Sequence, residues 1–193
     1  MLDSRIAGLT GDALRQTRPF GLIHVRVVPM SDFEPRDSLR NDLMAQAGRK
    51  LAKAESQAEV IETVRQSARD ICKSDGITII LREGGMCHYV EEDAIAPLWK
   101  GRRFPLNACI SGWAMLNGET AVIEDVFHDP RIPHDAYLPT FVKSLIMTPL
   151  GDNHVAAMGA YWRDRRKFSE ADLNTVEALG FLIGKALSKT LDR

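Results

Sequence analysis

The sequence predicts an α+β fold: an antiparallel sheet with helices on one face and a lidded, small-molecule-sized cavity on the other. Three observations lead there. Helix-period apolar patterns occupy residues 37–72 and 169–187. Between them lie short β-branched runs separated by glycine-bearing turns, which read as hairpins. The interval from Phe104 to Leu150 also contains an irregular excursion with three of the nine prolines, too rich in Tyr, Phe and Leu to be a solvated loop. Laid over a sheet, such a segment makes a lid with a cavity beneath it.

Composition narrows the function classes. A chain of 193 residues suits one domain with additional elements. Apolar residues at 45% and charged residues at 26% are ordinary for a globular chain. The formal net charge is -1, so no global field recruits nucleic acid or an anionic membrane. The one dense basic cluster, Arg163, Arg165, Arg166 and Lys167, is interrupted by Asp164 and reads as a solvated hairpin or loop. Three cysteines, Cys72, Cys87 and Cys109, are an odd set that argues against a disulfide framework and fits a reducing cytoplasm. No apolar run approaches the roughly 18 residues of a membrane span, and no signal-peptide apolar core stands at the N-terminus.

Residues 1–36 form an N-terminal extension of unassigned structure. Within it residues 22–28 read as a strand bounded by Pro19 and Pro29, with His24 a surface residue on it. From 37 to 193 the chain reads as one domain with flanking helices. The first helix starts near Asp37 or Ser38; its stripe of Leu39, Leu43, Ala47 and Leu51 is narrow, as in a seam against a partner helix. Ser56 and Glu59 make a capping box for a second helix. Its apolar face carries Val60, Val64, Ala68, Ile71 and Cys72, where Cys72 reads as a small buried hydrophobe. Asp75-Gly76 ends it. Residues 77–81 and 86–91 are strands joined by Gly84-Gly85. On the second, Met86, His88 and Val90 share one face and Cys87, Tyr89 and Glu91 the other, and both faces are candidates to hold a polar group under the lid.

Residues 94–100 read as a short helical or turn segment with Trp99 exposed or half-buried, and 102–105 as a brief strand. Asn107 is placed to cap a short helix over 109–116, ended by Gly118 in a left-handed conformation. Residues 121–123 are a strand, 144–149 another, and 155–162 its antiparallel mate across Gly151-Asp152-Asn153. Ser169 and Asp172 cap a last helix. Its apolar surface, which includes Leu173, Leu179, Leu182, Ile183 and Leu187, is wide enough to cover the sheet and also to meet the early helices or a second subunit.

The site candidates gather in and around the excursion. Trp113, Tyr137 and Phe141 are placed to line a planar ligand, and a plain core role stands beside that reading for each. Ser111, Asp125 and Ser144 are the polar groups available to orient a ligand, although Asp125 is also suited to cap the turn that follows it. His88 and Cys109 complete the set. A metal centre is not expected. Cys87, His88, Cys109, His128 and His134 match no ligand spacing, and Cys87 and His88 point to opposite faces of one strand.

Taken in order, Phe104-Pro105-Leu106, Ile110-Ser111-Gly112-Trp113-Ala114, Val122-Ile123-Glu124-Asp125, Asp129-Pro130-Arg131, the run from Ser144 to Leu150, Gly159-Ala160-Tyr161-Trp162 and Phe168-Ser169-Glu170-Ala171-Asp172 resemble a GAF domain. The resemblance covers about residues 45–192 and is most similar to the GAF domains of bacterial sensor histidine kinases and phytochrome-like signalling proteins. It implies a six-stranded antiparallel sheet, terminal helices that often dimerise behind it, and a short helix with a lid over a ligand pocket on the other face. It also implies signalling roles, with cyclic nucleotides, tetrapyrroles, haem or small metabolites as ligands in different members; the sequence assigns no cofactor among them. Covalent bilin attachment in the family generally uses a cysteine in or near the lid, and none lies between Asp125 and Ser144. GAF-type methionine sulfoxide reductases need a thiol directly before the short helix's glycine, where this chain has Ser111 before Gly112. The Asn-Lys-Phe-Asp-Glu pattern of cyclic-nucleotide members is not evident. No histidine sits in a phospho-acceptor helix pattern, so a histidine kinase or other signalling domain is expected as a partner, not as this chain's own activity.

The expectation is therefore a non-catalytic sensory or regulatory module of bacterial signal transduction, cytoplasmic and homodimeric. It would bind a small ligand or partner under the 105–145 lid and signal through its end helices. Changes at Trp113 or Phe141 are then expected to weaken ligand binding, and changes at Leu179 or Leu187 to weaken the dimer. Two alternatives stay open: an interaction domain whose own side chains fill the cavity, and a thiol redox enzyme of the methionine sulfoxide reductase class that uses Cys87 and Cys109.

Overall fold

Short-range rules account for the helices. A computed structural model describes residues 35–191; the strand expected over 22–28, and with it nearly all of the expected extension, lies outside the described residues. Helix α1 spans Pro35–Lys53. Its stripe divides: Ala47 and Leu51 are buried, while Leu39 is 62% exposed. Helix α2, Gln57–Cys72, has the expected cap, with Ser56 Oγ accepting from the Glu59 amide at 3.2 Å. The Glu59 carboxylate reaches one residue further back than a capping box requires, accepting from the Glu55 amide at 2.9 Å. A left-handed Lys73 ends the helix two residues ahead of Asp75-Gly76, its amide returning to the carbonyls of Arg69 and Asp70. Helix α5, Glu170–Leu191, carries the reciprocal box: Asp172 accepts from the Ser169 amide at 3.0 Å and its own amide donates to Ser169 Oγ at 3.2 Å.

Six strands form one antiparallel sheet: β1 (Gly76–Glu83), β2 (Met86–Ala94), β3 (Arg103–Pro105), β4 (Ala121–Ile123), β5 (Ser144–Leu150) and β6 (Ala156–Trp162). Their order is β3-β2-β1-β6-β5-β4. A 3-10 turn over Leu106–Ala108 leads into helix α3, Ile110–Asn117, and α4, His134–Tyr137, is a single helical turn in the excursion. Alternation along the strands divides their side chains between two cores. Ile77, Ile79, Ile146 and Met158 meet α1, α2 and α5; Ile80, Leu145, Met147 and Tyr161 meet α3 and the excursion. Covered on both faces, β5 and β6 are almost entirely buried, which is why they read as near-continuous apolar runs.

The register of β1 on β2 shifts between Ile79 and Ile80: Ile79 pairs with Glu91 and Ile80 with Tyr89, leaving Val90 as the extra residue. This bulge lets Tyr89 and Glu92, three apart in sequence, share the lid face. On the helix side, Leu179 and Leu187 lie fully within the core of their own chain and not at a seam with another copy. Among the described side chains of α5, the large apolar one that faces outward is Phe181, 65% exposed. The wide apolar surface of α5 is thus used mostly by its own sheet and by α1 and α2.

Candidate functional site

Strand β2 alternates, so Cys87 and Tyr89 turn under the excursion and His88 turns away. Beyond the bulge Glu92 returns to the lid face, opposite Thr78. Its carboxylate accepts from the amides of Leu98 at 3.1 Å, Trp99 at 2.9 Å and Lys100 at 2.9 Å. These bonds fold residues 95–101 inward and leave Trp99 only 3% exposed, which corrects the exposed or half-buried position expected. The indole packs edge-on against Tyr89, Tyr137 and Tyr161, with centroids 5.6, 4.9 and 5.6 Å apart. Its Nε1 donates to the Ala136 carbonyl in α4 at 3.3 Å, tying the indole to the lid.

Helix α3 brings the polar centre. The residue at its N-cap is Cys109; Asn107, the cap expected, is taken up in the 3-10 turn. Gly112 permits the first turn of α3 to lie against that 3-10 turn, because a Cβ there would fall 1.6 Å from the Leu106 carbonyl oxygen. Gly118 ends the helix at φ 65°, as expected. The result sets the buried Ser111 hydroxyl 3.2 Å from Tyr89 Oη and 3.2 Å from Cys109 Sγ. Cys109 Sγ lies 3.5 Å from the Pro105 carbonyl, in the same buried core as the Cys87 thiol.

The two thiols differ in character. The neighbouring Cys87 thiol holds the pKa of Cys109 below the ordinary thiol value; burial opposes this, and the Ser111 hydroxyl and the amides of Gly112 and Ser111 reinforce it. The neighbouring Cys109, with burial, pushes the Cys87 thiol up. Burial likewise raises the phenols of Tyr89, Tyr137 and Tyr161, which stay protonated. Tyr89, Trp99, Phe104, Cys109, Pro133 and Tyr137 wall a cavity of about 10 Å³, at the lower limit for one water molecule.

Of the expected residues, Cys109, Ser111 and Tyr137 come together here. Trp113 and Phe141 are half-buried against the same core, and the Arg131 guanidinium lies over the Trp113 ring at 4.7 Å from its centroid. The structure does not bring His88, Asp125 or Ser144 to the cavity. His88 Nδ1 stands 2.7 Å from Glu83 Oε1 and 3.1 Å from an Arg103 guanidinium nitrogen, among charges on the far face of β2. Asp125 accepts from the Phe127 amide at 3.0 Å and pairs with His128 at 2.7 Å and Arg165 at 2.8 Å, so it caps its turn and ties it to the segment after β6. Ser144 Oγ donates to the Asp164 carbonyl at 2.8 Å. Tyr89, Trp99 and Phe104 are cavity walls absent from the expected set. The alternation of β2 signals Tyr89; no local pattern signals Trp99, whose position depends on a carboxylate seven residues earlier.

The chain matches the family model described as GAF domain over residues 54–188. Among solved structures it is similar to the GAF domain of a phosphoenolpyruvate-protein phosphotransferase from Coxiella burnetii, at 11% identity over 82% of this chain and 98% of that one, with a TM-score of 0.70. It is similar to free methionine-R-sulfoxide reductase from Neisseria meningitidis, solved with its substrate, at 18% identity over 83% and 95%, TM-score 0.69. It is also similar to the GAF domain of a phosphoenolpyruvate-protein phosphotransferase from Acinetobacter, at 13% identity over 80% and 96%, TM-score 0.67. At these identities the likeness is one of fold. No curated protein matches the chain.

Proposed function

The chain belongs to the GAF family, and from that premise we propose that it is a non-catalytic sensory or regulatory module of bacterial signal transduction, cytoplasmic, taking a small ligand under its lid and passing the change to end helices that pair two copies. One observation carries the reading: the buried hydroxyl and thiol chain of Tyr89, Ser111 and Cys109 is walled by aromatic rings. A few convergent polar groups in an apolar recess are the usual make-up of a small-molecule site. With only about 10 Å³ empty, a ligand larger than water enters as Trp99 and residues 133–137 move. Trp99 is bonded to the Ala136 carbonyl, so occupancy and lid position are coupled, and a ligand acquires different affinities for two lid positions. The outward Leu39 and Phe181, and a groove of about 320 Å³ along Gly48, Leu51, Leu182 and Ala186, support a second copy at the end helices, with a histidine kinase or other signalling domain downstream. Ser111 stands before Gly112 where the reductase chemistry needs a thiol, which supports the non-catalytic reading.

The nearly filled cavity favours a second reading, an interaction domain that binds no ligand. Native mass spectrometry of the purified chain, with an absorbance scan of the same sample, separates the two. A dimer carrying extra mass is the expected result, and the mass assigns the ligand class. A bare dimer that gains no mass on incubation with nucleotide, haem and metabolite mixtures supports the interaction domain. A bare monomer at all concentrations removes signalling through paired end helices.

A further inference from the structure

Cys87 and Cys109 are brought together by two elements whose positions are set independently. The β2–β3 register puts Cys87 opposite Phe104. The 3-10 turn after β3 then folds the chain back, so that Cys109 Sγ comes to 3.5 Å from the Pro105 carbonyl, beside that same pair. Both thiols lie in the same buried core, and the Ser111 hydroxyl stands 3.2 Å from Cys109 Sγ. They are not equivalent in access. Cys109 lines the cleft between the lid and Phe104, whereas Cys87 is wholly buried behind it. Nor are they equivalent in charge: the Cys87 proton, the Ser111 hydroxyl and the first amides of α3 all favour a thiolate at Cys109. Cys72 is a contrast within the same chain. It sits in the other core, and burial pushes its thiol up to about 12, which keeps it inert.

We propose that Cys87 and Cys109 are a redox pair under the lid, which a small hydroperoxide converts into an intramolecular disulfide, with Cys109 reacting first and Cys87 resolving. The Cys109 thiolate attacks one peroxide oxygen and the O–O bond breaks. The leaving oxygen takes a proton and departs as water from hydrogen peroxide, or as an alcohol from an alkyl hydroperoxide. Cys109 is left as a sulfenic acid. The Cys87 sulfur then attacks the Cys109 sulfur, the S–O bond breaks, and the hydroxide leaves as water with the Cys87 proton. In sum the two thiols lose two electrons and two protons, and one hydroperoxide is reduced to an alcohol or water plus one water. The Ser111 hydroxyl, touching Cys109 and Tyr89, is placed to pass protons at both steps. With a cleft of about 10 Å³, hydrogen peroxide enters on a small movement of the lid, and a bulky lipid hydroperoxide requires a far larger one. The chemistry stands on the two thiols alone; its use as a signal rests on the sensory reading above and names the stimulus for it.

The test treats the full folded chain with stoichiometric hydrogen peroxide, alkylates remaining thiols after denaturation, and maps peptides by mass. The expected product has lost the mass of two hydrogen atoms, joins the Cys87 and Cys109 peptides, leaves Cys72 alkylated, and reverts with a dithiol reductant. Cys87→Ser is expected to stop the reaction at a Cys109 sulfenic acid that dimedone captures. Full alkylation of both cysteines after peroxide, or a disulfide that includes Cys72 in their place, overturns the pair, and neither result depends on a variant folding. Tryptophan emission and subunit count are read on the same oxidised sample. If the disulfide forms while both stay unchanged, the pair is upheld and the sensory reading fails separately.

Discussion

Asp129 and Arg131 meet through two hydrogen bonds, at 2.9 and 2.6 Å, near the start of the excursion. The Arg131 guanidinium holds the Asp129 carboxyl below its ordinary value of 3.8; burial opposes this and the Arg131 amide assists. Arg131 in turn covers the Trp113 ring, so this pair fixes one edge of the lid. Because the folded pKa is depressed, the stabilisation is complete above the unfolded value and is lost as pH falls through the folded one. Tryptophan emission is therefore expected to report lid loosening in wild-type protein only below about pH 4, and in Asp129→Asn already at neutral pH. An Asp129→Asn emission spectrum identical to wild type at pH 7 would mean that apolar packing alone holds the lid.

Residues 95–101 are held by a single acceptor. Glu92 gathers three consecutive amides, and the indole they deliver closes the cavity. Glu92→Ala leaves those amides without the carboxylate and is expected to cost about 1–3 kcal/mol, read as a lowered denaturation midpoint. The emission maximum should move to the red as Trp99 meets water. A loss of stability with no spectral shift would show that the indole's own packing against three tyrosines, and not Glu92, keeps it in place. Recognising this arrangement requires the bulge at Val90, because without it Tyr89 and Glu92 would face opposite sides of the sheet.

Helix α5 carries two kinds of apolar residue, those buried in the core it shares with α1, α2 and the sheet and those facing outward. Leu179 is enclosed by the sheet and the neighbouring helices, so Leu179→Asp places a carboxylate in an apolar core, and the expected result is loss of folded protein. Phe181 points outward, and Phe181→Asp is expected to leave the melting temperature within a few degrees of wild type while weakening self-association. Light scattering across a dilution series, with a thermal melt on each variant, checks both. If Phe181→Asp keeps the wild-type subunit count, the second copy sits elsewhere or is absent.

The sequence by itself determined the antiparallel sheet between terminal helices, the caps at Ser56 and Ser169, the hairpin at Gly84-Gly85, the stop at Gly118 and the division of Met86–Val90 between two faces. Each depends on side-chain period or on groups within about four residues of one another, and both are present in the linear order. It also named Cys109, Ser111 and Tyr137 as site candidates, in one set with His88, Trp113, Asp125, Phe141 and Ser144, without distinguishing those that meet from those that do not. Only the tertiary structure decided that Trp99 fills the cavity, that Cys87 meets Cys109, that Leu179 faces inward, and that His88, Asp125 and Ser144 serve other contacts. Those outcomes turn on a one-residue register shift, on a carboxylate reaching amides six to eight residues away, and on which face of α5 packs against the sheet. Such terms exist only once distant segments are in contact.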